Sequence, residues 1–124
     1  MRIINSDQAP KAIGPYSQAI RAGEVIYTSG QIALDPATGA LVEGDFAAQA
    51  NRVFENLKAV LAAGGVTFAN VAKATVYLTD LANFATLNEI YASYFGDTKP
   101  ARTTIGVAQL PKGGLVEIDL IAIV

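Results

Sequence analysis

The chain contains no cysteine and no histidine. Without cysteine it has no disulfide framework and no thiol nucleophile. Without histidine it lacks the usual general base at neutral pH and the commonest metal ligand. Charge is sparse as well. Nine Lys and Arg residues stand against eleven Asp and Glu, leaving a net charge of −2. The basic residues are scattered, so no basic stripe suits nucleic acid or an anionic membrane. Neither the GxxxxGK-Ser/Thr loop nor GxGxxG occurs, which excludes the common phosphate cradles. Met1–Asp7 shows no apolar region of signal-peptide length. No apolar run approaches the roughly 18 residues of a membrane span. A soluble cytoplasmic protein is expected.

What is present is a dense apolar chain. Its 124 residues suffice for one domain, 1–124, and are too few for two good cores. A domain of this length buries roughly two-thirds of the surface of its unfolded chain. The apolar share of 52% is high for so small a monomer. The excess goes either into a tight core or into a subunit interface.

The pattern gives strands, helix, strand, helix, strands. Arg2–Ile4, Tyr16–Arg21 and Val25–Ser29 read as short strands, with Ala22-Gly23-Glu24 as a hairpin turn. Asp45 caps a helix whose apolar stripe is Phe46, Ala50, Val53, Phe54, Leu57, Val60 and Leu61. Gln49, Arg52, Asn56 and Lys58 fall largely off that stripe. Gly64-Gly65 ends it with a left-handed cap. Val71–Leu78 is a strand by its β-branched and aromatic content. Asn83 caps a second helix ending at Gly96. Thr103–Leu110 and Leu115–Val124 are the last strands. The fold class is α+β: one mixed sheet of about six strands with two helices on one face.

The last strand carries an unusual burden. Val116, Ile118, Leu120, Ala122 and Val124 point one way; Leu115, Glu117, Asp119, Ile121 and Ile123 point the other. Both sets are largely apolar, and two helices cover only one face. The other face calls for a second copy of the same sheet, so a homo-oligomer is expected. The rival is a monomer whose Gln8–Gly14 and Gln31–Gly44 loops fold over the sheet.

Arg102 and Glu117 stand out as chemistry. A guanidinium at a strand mouth, fixed by Pro100, can clamp a carboxylate with two parallel hydrogen bonds; the plain alternative is a surface arginine paired with an acid. A glutamate between Val116 and Ile118 is partly desolvated, which raises its pKa and suits acid–base work; the plain alternative is a solvated side chain. Asp119 shares its face, and either raises that pKa further or pairs with a Lys or Arg. Gly14-Pro15-Tyr16-Ser17 and Thr28-Ser29-Gly30-Gln31 place glycine beside hydroxyls at strand ends. Asn88 lies on the second helix, on the side of Phe84 and Tyr91, and reads as exposed. If the last two strands form a hairpin, Ala108 faces Glu117 and Arg102 lies roughly 20 Å away. Either the two residues meet across a subunit boundary, or the two strands are not direct partners.

Ile13-Gly14-Pro15-Tyr16-Ser17-Gln18-Ala19, Thr28-Ser29-Gly30-Gln31-Ile32, Phe84-Ala85-Thr86-Leu87-Asn88 and Pro100–Asp119 together resemble the RidA family. It is also known as the YjgF/YER057c/UK114 family of reactive intermediate deaminases. The resemblance spans essentially the whole chain, and Pro-Ala-Arg followed by Leu-Val-Glu-Ile is its most specific part. It implies a chorismate-mutase-like fold in which three protomers pack their sheets into a central barrel, with clefts between subunits. It implies hydrolysis of enamines or imines such as 2-aminoacrylate to 2-keto acids and ammonia, without cofactor or metal. Such intermediates are released by pyridoxal-phosphate-dependent dehydratases, which would be its functional neighbours. By resemblance Arg102 holds the substrate carboxylate and Glu117 activates water and relays protons. Tyr16, Ser29, Gly30 and Asn88 line the cleft, and the backbone at Thr104 touches the substrate. Many members carry a cysteine or another small residue where this chain has Thr104, so chemistry through a thiol is excluded. A non-catalytic trimer that binds small 2-keto acids is the alternative. Ribonuclease activity, attributed to some members, sits poorly with a pI near 4.9 and no histidine.

Overall fold

In a computed structural model describing residues 1–124, six strands form one mixed sheet. In chain order they are β1 (Arg2–Ile4), β2 (Ala19–Ala22), β3 (Val25–Thr28), β4 (Val71–Leu78), β5 (Ala101–Gly106) and β6 (Val116–Ile123). Two helices, α1 (Phe46–Ala63) and α2 (Phe84–Phe95), interrupt them. The spatial order is β1-β2-β3-β6-β4-β5. The last strand therefore lies inside the sheet, antiparallel to both β3 and β4. β5 runs parallel to β4, with α2 as the crossover. No helix is long and apolar enough to cross a membrane.

Of the two alternatives for the last two strands, the chain adopts the one in which they are not direct partners: β4 separates them. The first of the two is also shorter than the sequence suggests, ending at Gly106 rather than Leu110. The chain leaves the sheet there and turns through Pro111–Gly113, with Lys112 held at φ +57°. The Tyr16–Arg21 run likewise shortens to Ala19–Ala22, leaving Tyr16 in a bend.

Local signals account for most of the rest. Gly23 takes φ +61° in the tight β2–β3 turn, a conformation glycine adopts without penalty. Asp45 accepts a hydrogen bond from the Ala48 amide at 3.0 Å, satisfying one of the free donors of α1. At the other end Gly65 takes φ +79°, and the bonds Val66 N to Leu61 O and Gly65 N to Ala62 O close a Schellman motif. The second helix differs from expectation. The Asn83 side chain makes no cap bond; Asp80 instead caps a short 3-10 turn, Leu81–Asn83, that leads into α2.

The core lies between the helices and one face of the sheet. Ile26, Ala74, Val76, Leu78, Val116, Ile118, Leu120 and Ala122 meet Phe46, Ala50, Val53, Phe54, Leu57, Val60 and Leu61 there. Truncating a fully buried member such as Leu57 to alanine would cost about 2–5 kcal/mol. Gln49 and Asn56 are buried rather than off the stripe. The reason is loop support: Gln49 Oε1 accepts from the Leu115 amide (2.9 Å), and Asn56 Nδ2 donates to the Leu34 carbonyl (2.9 Å). Backbone brought inside must find partners, and these two side chains supply them.

Asn56 thereby anchors the long loop after β3 on the helix side, and the opposite sheet face stays open. Ladder partners share a face, so Ile3, Ile20, Tyr27 and Ile121 form one row across it. Ile3 is 68% exposed, Tyr27 48% and Ile105 42%. The rival arrangement, with loops folded over this face, is not what the chain adopts.

Candidate active site

The candidate residues fall into two groups. Glu117 lies on β6 opposite Tyr77 of β4, on the open face. Arg102 lies on β5 opposite Ala74, which is buried beneath the helices. Ala74 and Tyr77 are an odd number of residues apart, so their side chains leave opposite faces of the sheet. Three residues along the strands and two strand spacings separate the two backbones, roughly 14 Å. Within one chain Arg102 and Glu117 cannot reach a common small molecule.

The glutamate group is built by omission. A Cβ on Gly30 would overlap the Glu117 carboxylate and lie 2.8 Å from its Cδ, so only glycine leaves that carboxylate room. Gly30 is held there because Gln31 exchanges two backbone bonds with Ile118 (2.9 and 3.1 Å), extending the ladder past the end of β3. Tyr16, Gly30, Gln31, Ile32, Lys112 and Glu117 line a cavity of about 290 Å³. Tyr16 is 51% exposed at its mouth. Burial pushes the Glu117 carboxyl above its usual range, and the negative charge of Asp119 pushes it the same way. Asp119 finds neither Lys nor Arg; Tyr77 Oη donates to its Oδ2 at 3.2 Å. Burial raises the Asp119 carboxyl too, and this bond opposes the rise.

Ser29 adjoins Gly30 in the chain. Its hydroxyl donates to the Ser17 carbonyl at 2.6 Å, joining the two loops, and it is not among the cavity-lining residues.

The arginine group is built from side chains. Arg102 Nη1 donates to Asn88 Oδ1 at 2.8 Å, and its guanidinium carbon lies 4.8 Å from the Tyr91 ring centroid and 5.5 Å from that of Phe84. Asn88 is therefore half-buried and engaged, not exposed. The parallel β4–β5 pairing is what lays α2 against β5. Thr104, two residues beyond Arg102 on the same face, has a buried hydroxyl with no hydrogen-bond partner, as does Tyr91. The 84–88–91 spacing put these three residues on one side of a helix, but nothing in the sequence said that side would meet Arg102. Tyr77 was missed altogether. It reads as an ordinary strand tyrosine until its register with Glu117 is known. No group of three or more acidic side chains is placed to hold a metal ion.

Comparison with known proteins agrees with this architecture. The family model described as "Endoribonuclease L-PSP" matches residues 6–124. The chain is similar to "Protein DfrA" of Myxococcus xanthus, 58% identical over 124 residues, covering 98% of this chain and 95% of that protein. It is similar to the "2-iminobutanoate/2-iminopropanoate deaminase" of Bos taurus, 49% identical over 122 residues, covering 98% of this chain and 89% of that protein. Its fold superimposes on the crystal structure of RidA from the Antarctic bacterium Psychrobacter sp. PAMC 21119 with a TM-score of 0.96, at 47% identity and full coverage of both chains. With its mixed six-stranded sheet, its two helices on one face and relatives of this kind along its whole length, the chain belongs to the RidA family.

Proposed function

We propose that the protein hydrolyses short 2-imino acids to 2-keto acids and ammonia, in sites completed between copies of the chain. The observation that carries this reading is Glu117: a desolvated carboxylate with a raised pKa, set against the bare α-carbon of Gly30 in the wall of a cavity. A carboxylate tuned toward neutrality can take a proton from water and return it within one turnover. Water attacks the imine carbon of R–CH2–C(=NH)–COO⁻ while Glu117 accepts its proton. That proton passes to nitrogen and gives the carbinolamine; Glu117 then carries the hydroxyl proton to the same nitrogen, the C=O bond forms as the C–N bond breaks, and R–CH2–CO–COO⁻ and ammonia leave. Arg102 binds the substrate carboxylate and fixes the imine carbon before the water. Tyr16 and Gly30 line the cleft beside Glu117. Asn88 and Thr104 belong with Arg102, and Ser29 holds the loop that presents Gly30.

The opposed faces of Arg102 and Glu117 favour a site shared between protomers. The exposed Ile3, Tyr27 and Ile105 favour packing of the open face against other copies, in the three-fold barrel that the family resemblance implies. A relative named as a 2-iminobutanoate/2-iminopropanoate deaminase supports the reaction class. The endoribonuclease description of the family model points to another substrate. A net charge of −2 argues against it, because contact with successive phosphates needs clustered Lys and Arg. A cytoplasmic setting beside pyridoxal-phosphate-dependent dehydratases, the enzymes that release such imines, suits the reading.

The test generates 2-iminobutanoate with a threonine dehydratase and follows 2-keto acid release. Wild-type protein should accelerate release above the uncatalysed rate, and at substrate well below KM Arg102→Ala and Glu117→Gln should keep only about a hundredth and about a thousandth of that acceleration. Mixed and reassembled, the two variants should regain activity in about a quarter of the sites, since each site draws one residue from each of two copies. No regain on mixing would overturn the shared site. No acceleration by wild type, with 2-keto acid binding intact, would leave a binding module in place of an enzyme.

A further inference from the structure

We propose that Tyr91 is a positioning residue whose ring holds the Arg102 guanidinium ready for a planar carboxylate. The identity of that carboxylate rests on the hydrolase reading above; the holding itself stands on geometry.

Arginine has a long side chain with a large rotamer entropy, and Arg102 sits on β5, a strand at the edge of the sheet. Left alone, it would sample many positions, and each substrate would have to select one. Three residues on a single side of α2 limit it. Asn88 accepts one Nη1 hydrogen at 2.8 Å, Phe84 approaches to 5.5 Å and Tyr91 to 4.8 Å. Their positions, i, i+4 and i+7, repeat at helical spacing. The structure gives the guanidinium no other hydrogen-bond partner, so its remaining N–H groups are free for a bidentate ligand.

The two rings are not equivalent. Phe84 starts the helix and is 41% exposed. Tyr91 is half-buried and backed by the core: Phe95 lies 4.4 Å from it and Phe54 meets it edge-on at 6.0 Å. It is therefore the fixed wall and Phe84 the movable one. A cation held over a partly desolvated ring gains more than one over an exposed ring. The Tyr91 hydroxyl, buried and unpartnered, has no part in this contact. The ring is the active element, so phenylalanine should replace it without loss.

The experiment uses the full chain with Tyr91→Phe, Tyr91→Leu and Phe84→Leu, and Tyr91→Met as a longer, more adaptable non-aromatic substitute should the leucine variant unfold. Steady-state assay on 2-iminobutanoate reads KM and kcat separately. In parallel, NMR of 15N-arginine protein follows the Arg102 Nε–Hε signal, assigned by its loss in Arg102→Lys. Tyr91→Leu should raise KM about tenfold and leave kcat within about twofold. Its Arg102 signal should move to the position of a free arginine. Tyr91→Phe should match wild type in both readouts. Phe84→Leu should fall between. An unchanged KM and an unmoved signal in Tyr91→Leu would sink the proposal, as would Tyr91→Phe losing as much as Tyr91→Leu. If wild type turns over no imine, the hydrolase reading fails alone, and the NMR signal still decides whether Tyr91 positions Arg102.

Discussion

The glutamate and arginine groups solve opposite problems. Glu117, the base of the proposed reaction, sits uncomfortably: it is partly drawn out of water, set near a second carboxylate and given space only because Gly30 has no side chain. Arg102, the proposed anchor, sits comfortably as a cation: it has an amide oxygen and two aromatic rings around it. A group that moves protons gains from a pKa near the working pH, whereas a group that binds charge gains from staying charged and still. Backbone and an absent side chain make the first environment; side chains from a helix make the second.

That contrast breaks most sharply at Glu117 itself. Glu117→Gln should lower kcat about a thousandfold, because it deletes the proton carrier and keeps the shape. Arg102→Ala should lower kcat/KM about a hundredfold, chiefly through KM, as for a lost charge-assisted pair. Gly30→Ala displaces the carboxylate without removing it, and should cost about tenfold in kcat. Each is read in the dehydratase-coupled assay. Asp119→Asn is subtler. It removes the second cause of the raised Glu117 pKa, so the acidic limb of the pH–rate profile should move to lower pH, with burial still holding part of the rise. A limb that stays put or moves up would detach Asp119 from Glu117.

The same shifts make a stability statement. A carboxyl whose folded pKa is raised favours the protonated form in the fold. Its contribution is full below the ordinary carboxylate range and is lost as pH rises through the raised value. Glu117 and Asp119 therefore weaken the fold at neutral pH. Glu117→Gln should melt higher than wild type at pH 7 and show a smaller change in Tm with pH, the smallest effect predicted here. Equal melting profiles for the two would contradict the desolvated site.

The glutamate group was largely legible in the sequence. Alternation along Val116–Ile123 put Glu117 and Asp119 on one apolar face, and Gly30 stood at a strand end. What alternation could not show was that Tyr77 would stand opposite Glu117, since register belongs to pairing and not to one strand. The arginine group was legible only in pieces. Arg102 and the 84–88–91 stripe were visible separately; their contact depends on β5 running parallel to β4 through α2. The choice between a hairpin and separated strands was left open for the same reason. Adjacent strands joined by a Pro-Gly turn usually pair, but here β4 takes the place between them. Gln49 and Asn56 escaped because a polar residue beside an apolar stripe reads as solvent-facing until a loop comes down on it.

The near approach of Gly30 to Glu117 also bears on the order in which the molecule assembles. Asn88 and Arg102 are 14 residues apart, and the crossover that joins them carries Tyr91 as well. That group can close as soon as a short stretch of chain has folded. Gly30 and Glu117 come from opposite ends of the sequence and meet only when β6 slides between β3 and β4. Long loops must be closed before such contacts form, so this docking is expected to be the slow event. Pulsed hydrogen exchange during refolding should protect α2 and β5 amides before those of Gln31 and Ile118. The proposed base would then be the last part of the site to appear, and a chain caught halfway would hold the proposed substrate anchor without the means to act on a substrate.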